Sequence, residues 1–102
     1  VLGGSSSINA MCYIRGDARD YDEWAELGAT GWGWQDVLPY FRRAQNQERG
    51  ASALHGTGGP LNVADLRWRN PLSEVFLAAA GEAGHPANTD FNGPVQEGFG
   101  WY

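Results

Sequence analysis

Two glycines, three serines and an asparagine open the chain in close order: Val1-Leu2-Gly3-Gly4-Ser5-Ser6-Ser7-Ile8-Asn9-Ala10-Met11-Cys12. Gly3 and Gly4 lack Cβ atoms, so the backbone can bend sharply and lie against a ligand. Ser5, Ser6 and Ser7 add hydroxyls beside backbone N–H groups. Ile8 to Ile14 is expected to start a short helix, whose first N–H groups are unpaired and partly positive. Such a turn feeding such a helix takes anions, phosphate or pyrophosphate above all. Asn9 adds an amide that both donates and accepts. The stretch is neither a dinucleotide G-x-G-x-x-G nor a Walker loop. Standing alone, a tight turn with serine caps is the simpler reading.

The other residues with chemistry to offer are few. Cys12 is the sole cysteine, with no basic residue within two positions. A packed thiol is expected there rather than a redox one. It gives no disulfide and no zinc quartet. His55 lies in a glycine-rich loop and His85 just past a helix stop, both ordinary surface places. Asp17, Asp20, Asp22, Glu23 and Glu26 could suggest calcium. Arg19 and Ala25 fall where ligand acids are needed, so a solvated helix face is expected and no metal site. Aromatic residues make up 13% of the chain. They could cage a quaternary ammonium, but packing is the expected use, because a cage needs convergent faces.

The elements that must position these residues read as follows. Asp17 to Asp20 is a polar turn, and Asp20 is the expected cap of a helix carrying Tyr21, Trp24 and Leu27, stopped by Gly28. A Trp-bearing loop leads to a second helix over roughly 35–47, with Val37, Leu38, Phe41 and Ala44 as its buried stripe. Pro39 is expected near its first turn, and Arg42 and Arg43 suit its C-terminal end. Glu48 to Gly59 is a surface loop, and Leu61-Asn62-Val63 alternates as a short strand. Asn70-Pro71 starts a third helix with Leu72, Val75, Phe76, Ala79, Ala80 and Ala83 on its apolar face, ended by Gly84 and Pro86. His85 to Pro94 is loop, and Val95 to Tyr102 a strand. Three helices, two or three short strands and long Gly-rich loops make a poor core of their own.

At 102 residues the chain is at most one domain. Twelve acids against seven cations give a net charge of −5, and every cation is Arg. An acidic chain with no basic face argues against nucleic-acid binding. No run approaches the ~18 apolar residues of a membrane span. The chain opens on Val1 and stops within a strand-like run, so it is expected to be an internal piece of a larger protein.

Gly3-Gly4-Ser5-Ser6-Ser7-Ile8-Asn9-Ala10-Met11, then Tyr13-Ile14-Arg15-Gly16, resembles the first signature of the glucose–methanol–choline (GMC) family of FAD-dependent alcohol oxidoreductases. Matches continue in the family's order: Tyr21-Asp22-Glu23-Trp24, Asp36 to Phe41, His55-Gly56 with Gly59-Pro60-Leu61, Asn70-Pro71-Leu72, and Asp90-Phe91-Asn92-Gly93 with Gln96-Glu97-Gly98. Within the family the chain resembles the bacterial choline-dehydrogenase-like branch. The resemblance implies an α+β fragment of an α/β FAD-binding fold. Residues 1–16 would be the FAD-cradling loop and short helix, 17–60 the FAD-covering lid, and 61–102 the start of the substrate-binding domain.

By the same resemblance, Val1, Gly3, Gly4 and Ser5 would approach the ribityl–pyrophosphate part of FAD. Asn9, Ala10, Met11 and Cys12 would lie at the isoalloxazine ring, with N–H groups toward its N5–O4 edge, and Ala10 toward the substrate. Some relatives carry a flavin-bonded His where Asn9 stands, so non-covalent FAD is expected. Asn92-Gly93 and Gly98 to Tyr102 would border the substrate cavity. The family's catalytic His and its partner come from a C-terminal region outside this chain, so no catalytic residue is assigned here, His55 and His85 included. The implied reaction is hydride transfer from an alcohol carbon, that of choline or another primary alcohol, to FAD N5. A same-fold lyase with structural FAD and a non-catalytic aromatic binding module are the alternatives. Implied partners are FAD, a small alcohol and the rest of the parent chain, in a cytoplasmic or peripheral-membrane setting.

Overall fold

The computed structural model describes all of residues 1–102. Its elements, in order, are a single 3-10 turn at Ser5–Ser7, α1 (Ala18–Glu26), α2 (Trp34–Ala44), β1 (Gln45–Gln47), β2 (Leu61–Val63) and α3 (Pro71–Glu82). Three helices and two short strands joined by long loops are the α+β content that the sequence predicts.

Asp17, not Asp20, caps α1. Asp17 is extended and its carboxylate accepts from the Arg19 N–H at 2.9 Å, while Asp20 reaches back to the Asp17 N–H at 2.9 Å. The two acids form a reciprocal capping box, which places Asp20 at the third helical position. The start of α2 borrows its cap. Gly33 has no side chain to offer, and Asp22 of α1 accepts from the Trp34 N–H at 2.8 Å. Tyr21 then meets Trp34 and Phe41 at ring separations of 5.6 and 5.7 Å, and Trp24 at 5.4 Å. The aromatics of α1 and α2 pack on one another.

α2 ends at Ala44, three residues earlier than its pattern implies. Gln45 turns to φ −87, ψ 140 and enters β1. β1 pairs in parallel with β2, Gln45 opposite Leu61 and Gln47 opposite Val63. Pro39 lies inside α2 rather than in its first turn, so the exposed Gln35 carbonyl loses its helical donor. The stripe Val37, Leu38, Phe41 and Ala44 is half-buried, as its spacing requires.

Two predicted elements do not form. Ile8 to Ile14 is not helical: Asn9 Oδ1 takes the Met11 N–H at 2.8 Å, and Met11 sits at φ 56. A left-handed, non-glycine residue ends any helix there. Val95 to Tyr102 makes only one bridge, Ala87 to Phe99. The Asn88 amide instead collects the carbonyls of Val95 at 2.8 Å and Glu97 at 3.0 Å, so a side chain occupies the place of a pairing strand.

α3 starts as predicted. Asn70 Oδ1 accepts from the Leu72 N–H at 2.9 Å, with Pro71 following. Removing this acceptor leaves an orphan donor, so Asn70→Ala is expected to cost about 1 kcal/mol. Denaturant midpoints of the full-length protein check this: Asn70→Asp should hold the wild-type midpoint, and an unshifted Asn70→Ala would refute the cap's contribution. The apolar face of α3 is another matter, for Leu72, Val75 and Phe76 are all exposed. Ser73, Leu77 and Ala80 form the half-buried side instead. No hydrophobic residue of the chain is buried, and the five buried positions include Arg15, Gln45 and His55.

Candidate functional site

Residues 1–12 form one exposed backbone edge. Gly3 and Gly4 take φ 91 and 71, a region that side chains avoid. A Cβ at Gly3 would lie 2.5 Å from Ser7 Oγ, whereas one at Gly4 would meet nothing. Ser7 folds back: its hydroxyl donates to the Leu2 carbonyl at 3.0 Å, and its N–H to Gly4 at 3.2 Å. The N–H groups of Ser5, Ser6, Ala10 and Cys12 find no acceptor in the chain. The edge therefore presents donors. Leu2, Ile8 and Met11 stand exposed beside it.

Behind this edge the chain is gripped from far away in sequence. From Met11 to Gly16 no backbone group bonds to another backbone group. Asn92 Oδ1 accepts from the Arg15 N–H at 2.7 Å, and Asn92 Nδ2 donates to the Tyr13 carbonyl at 3.0 Å. Gln96 Nε2 donates to the Arg15 carbonyl at 2.7 Å. The Tyr21 hydroxyl accepts from the Gly16 N–H at 3.1 Å.

The Arg15 side chain begins a buried polar line. Its guanidinium donates to the Leu54 carbonyl at 2.7 Å and to Gln45 Oε1, and lies 5.1 Å from the Phe41 ring centre. Gln45 is fully buried, and its Nε2 lies 3.1 Å from His55 Nδ1. His55 Nε2 lies 2.7 Å from Asp90 Oδ2. One assignment satisfies every partner: Gln45 donates to Nδ1, and His55 donates from Nε2 to Asp90. Sequence reasoning places His55 on the surface; it is 6% exposed, because it closes the line between Gln45 and Asp90. Its role here is to join loops. His85 is exposed.

Ion pairs pin the same loops at the surface. Arg49 meets Asp65 at 2.6 Å and also donates to the Thr89 carbonyl at 2.6 Å. Arg67 meets Glu48 at 2.6 Å. The guanidinium hydrogen bond from Arg49 holds the Asp65 carboxyl below its ordinary range, and that from Arg67 does the same to Glu48. Arg19 lowers Asp17 in the same way.

Cys12 is exposed rather than packed. It borders an open, largely apolar cleft of about 470 Å³ with Leu66, Phe76, Leu77, Trp101 and Tyr102. The eight residues expected to meet a cofactor, Val1, Gly3, Gly4, Ser5, Asn9, Ala10, Met11 and Cys12, thus lie along one exposed run that ends at this cleft. Asn92, expected at a substrate border, binds the backbone behind that run. Four residues that hold the run or its support had drawn no role from the sequence: Arg15, Gln45, Asn92 as a clamp, and Gln96. The contacts of Gln45, Asn92 and Gln96 to Tyr13 and Arg15 span 30 to 81 residues, and no local pattern signals that.

Comparison with known proteins supplies the remaining observation. The chain is 54% identical over 100 residues to an oxygen-dependent choline dehydrogenase of Brucella anthropi, covering 98% of this chain and 18% of that protein. It is 54% identical over 101 residues to the mitochondrial choline dehydrogenase of Mus musculus, covering 99% of this chain and 17% of that protein. A solved FAD-dependent oxidoreductase from Chaetomium thermophilum superposes with a TM-score of 0.75 at 37% identity, over 88% of this chain and 17% of that one. The chain spans less than a fifth of these relatives' length. The GMC oxidoreductase family profile matches residues 1–102, end to end. On that match and those identities, the chain belongs to the GMC oxidoreductase family.

Proposed function

We propose that this chain is the flavin-contacting part of a larger enzyme that oxidises alcohols. Family membership supports the class, and the choline dehydrogenases among its relatives support choline or another small primary alcohol as substrate. The observation that carries the reading in this chain is the donor edge at residues 1–12, with acceptor-free N–H groups at Ser5, Ser6, Ala10 and Cys12. An edge made of donors suits the pyrophosphate and ring carbonyls of FAD, and the open space at Gly4 lets such a group approach the backbone. FAD, when bound, would accept hydride from the alcohol carbon.

In this reading Val1, Gly3, Gly4 and Ser5 hold the pyrophosphate side, and Asn9, Ala10, Met11 and Cys12 hold the ring side. Fixed N–H groups facing the ring stabilise negative charge gained there without reorganising. Residues 17–60 cover the cofactor and 61–102 begin the substrate domain. Asn9 carries no group that would bond to flavin, which supports FAD held non-covalently. The exposed apolar faces at Leu72, Val75, Phe76 and Leu2 are covered by the remainder of the parent chain.

Purification of the full-length protein tests this. It should be yellow, and anaerobic choline or another primary alcohol should bleach it. Acid precipitation should release the flavin and leave the peptide 1–16 at its unmodified mass. A protein that takes up no flavin, or whose flavin no alcohol reduces, would overturn the proposal; a flavin adduct on that peptide would overturn its non-covalent part.

A further inference from the structure

We propose that the carboxamides of Asn92 and Gln96 act as a substitute edge strand, fixing Tyr13–Arg15 and through it the placement of Asn9 to Cys12. The proposal rests on the reading above for what that segment faces. In an extended chain the carbonyl of one residue and the N–H of the second residue on point to the same side. A partner strand would answer them with one backbone N–H and one backbone carbonyl. Here Asn92 answers with its own amide: Nδ2 takes the Tyr13 carbonyl at 3.0 Å and Oδ1 takes the Arg15 N–H at 2.7 Å. Gln96 adds the third contact of the same side, to the Arg15 carbonyl at 2.7 Å. These three bonds replace a sheet ladder in a segment with no backbone pairing of its own.

The clamp is itself held rigid. The Asn92 N–H donates to Asp90 Oδ1 at 3.0 Å, and the Asp90 N–H donates to Asn88 Oδ1 at 2.8 Å. Asn88 reaches on to the Val95 and Glu97 carbonyls, on either side of Gln96. The second Asp90 oxygen is tied to His55 at 2.7 Å. The backbone that carries each carboxamide is therefore fixed, and less freedom is lost in gripping the loop. Cys12 is the next residue back from Tyr13, so a shift of the clamp moves the donor edge directly. Asn92 and Gln96 are positioning residues: they touch the backbone behind the edge and not the cofactor.

Hydrogen exchange of the full-length protein reads the clamp. Asn92→Ala loses two bonds and should speed exchange of the Arg15 amide, the clamped donor in the peptide spanning residues 10–16, by on the order of tenfold. Gln96→Glu keeps the shape but turns a donor into an acceptor facing the Arg15 carbonyl, and should speed it too. Asn92→Asp retains the acceptor for Arg15 and should fall between wild type and Asn92→Ala. Two controls separate positioning from general loosening. Asn62→Ala removes an exposed side-chain bond to Asn46 of 3.0 Å, and Asn70→Ala weakens the cap of α3, a helix that makes no hydrogen bond to residues 10–16. Neither should alter exchange at 10–16. The second readout is flavin affinity, which should weaken about tenfold in Asn92→Ala while both controls retain it. Exchange at 10–16 unchanged in Asn92→Ala and Gln96→Glu, or raised equally in the controls, overturns the clamp. Faster exchange with unchanged flavin affinity overturns the link to the donor edge. A colourless wild-type protein defeats the functional reading instead, and exchange still decides the clamp.

Discussion

Arg15→Ala is expected to destabilise the full-length protein by about 3 kcal/mol, far more than any other arginine replacement. Arg15 is 5% exposed, and none of the chain's ion pairs includes it. Its charge is met by neutral groups: the Leu54 carbonyl, Gln45 Oε1, and the faces of Phe41 at 5.1 Å and Tyr13 at 5.8 Å. Truncation strands two acceptors in a space that water reaches poorly. Each such acceptor costs about 1–3 kcal/mol, and the packed stem of the side chain is lost as well. Gln45 then has no reason to keep the orientation that serves His55. Arg15→Lys should recover only part of the loss, because a single ammonium cannot span the forked contacts to Leu54 and Gln45. Arg19→Ala is the control: that side chain is 85% exposed and its pair with Asp17 is screened, so its effect should vanish in the error. Denaturant midpoints at constant slope measure all three. An Arg15→Ala loss below about 0.5 kcal/mol, the range of ordinary surface changes, would show that the buried line does not hold these loops together.

The sequence reveals contacts of short range and conceals those of long range. Asn70-Pro71 reads correctly because cap, first residue and helix are all local. Leu61–Val63 reads correctly as a strand, although nothing in it names Gln45–Gln47 as its partner. Among the acids opening α1 the choice of Asp17 over Asp20 turns on one turn of backbone, which composition does not decide. The apolar spacing of α3 correctly announces a helix, yet the face it marks is exposed, since periodicity says that a face is apolar and not what lies against it. The glycine–serine pattern and the family resemblance both point to residues 1–12, where the structure shows N–H groups without acceptors. Neither gives an account of what steadies that edge, because Arg15, Gln45, His55, Asp90, Asn92 and Gln96 come from four separate loops and strands. Each is an ordinary polar residue on its own.

His55-Gly56-Thr57-Gly58-Gly59-Pro60 shows the same division within six residues, and yields the second large effect. Turn chemistry explains Gly58, which sits at φ 77 with open space around it. Gly58→Ala should cost about 1 kcal/mol, the strain of a left-handed side chain. Gly56 has a different reason. A Cβ there would lie 1.8 Å from the Arg42 carbonyl oxygen and 2.6 Å from its carbon, in the last turn of α2. Those atoms are helical backbone, so no side chain can swing aside. The loop must lift away from α2, and it carries His55 with it. The 2.7 Å contact with Asp90 and the 3.1 Å contact with Gln45 both break. Backbone pairing to β1 cannot compensate, for the bond of 2.9 Å from the Gln47 N–H to the Gly56 carbonyl is lost with the loop. Gly56→Ala is therefore expected to cost more than about 3 kcal/mol, beyond ordinary overpacking, because it adds a steric clash to the loss of buried hydrogen bonds. Soluble yield and thermal unfolding of the two alanine variants should separate them cleanly. Equal losses at Gly56 and Gly58 would mean that the loop needs glycine only for its turns, and that the close approach to α2 carries no weight.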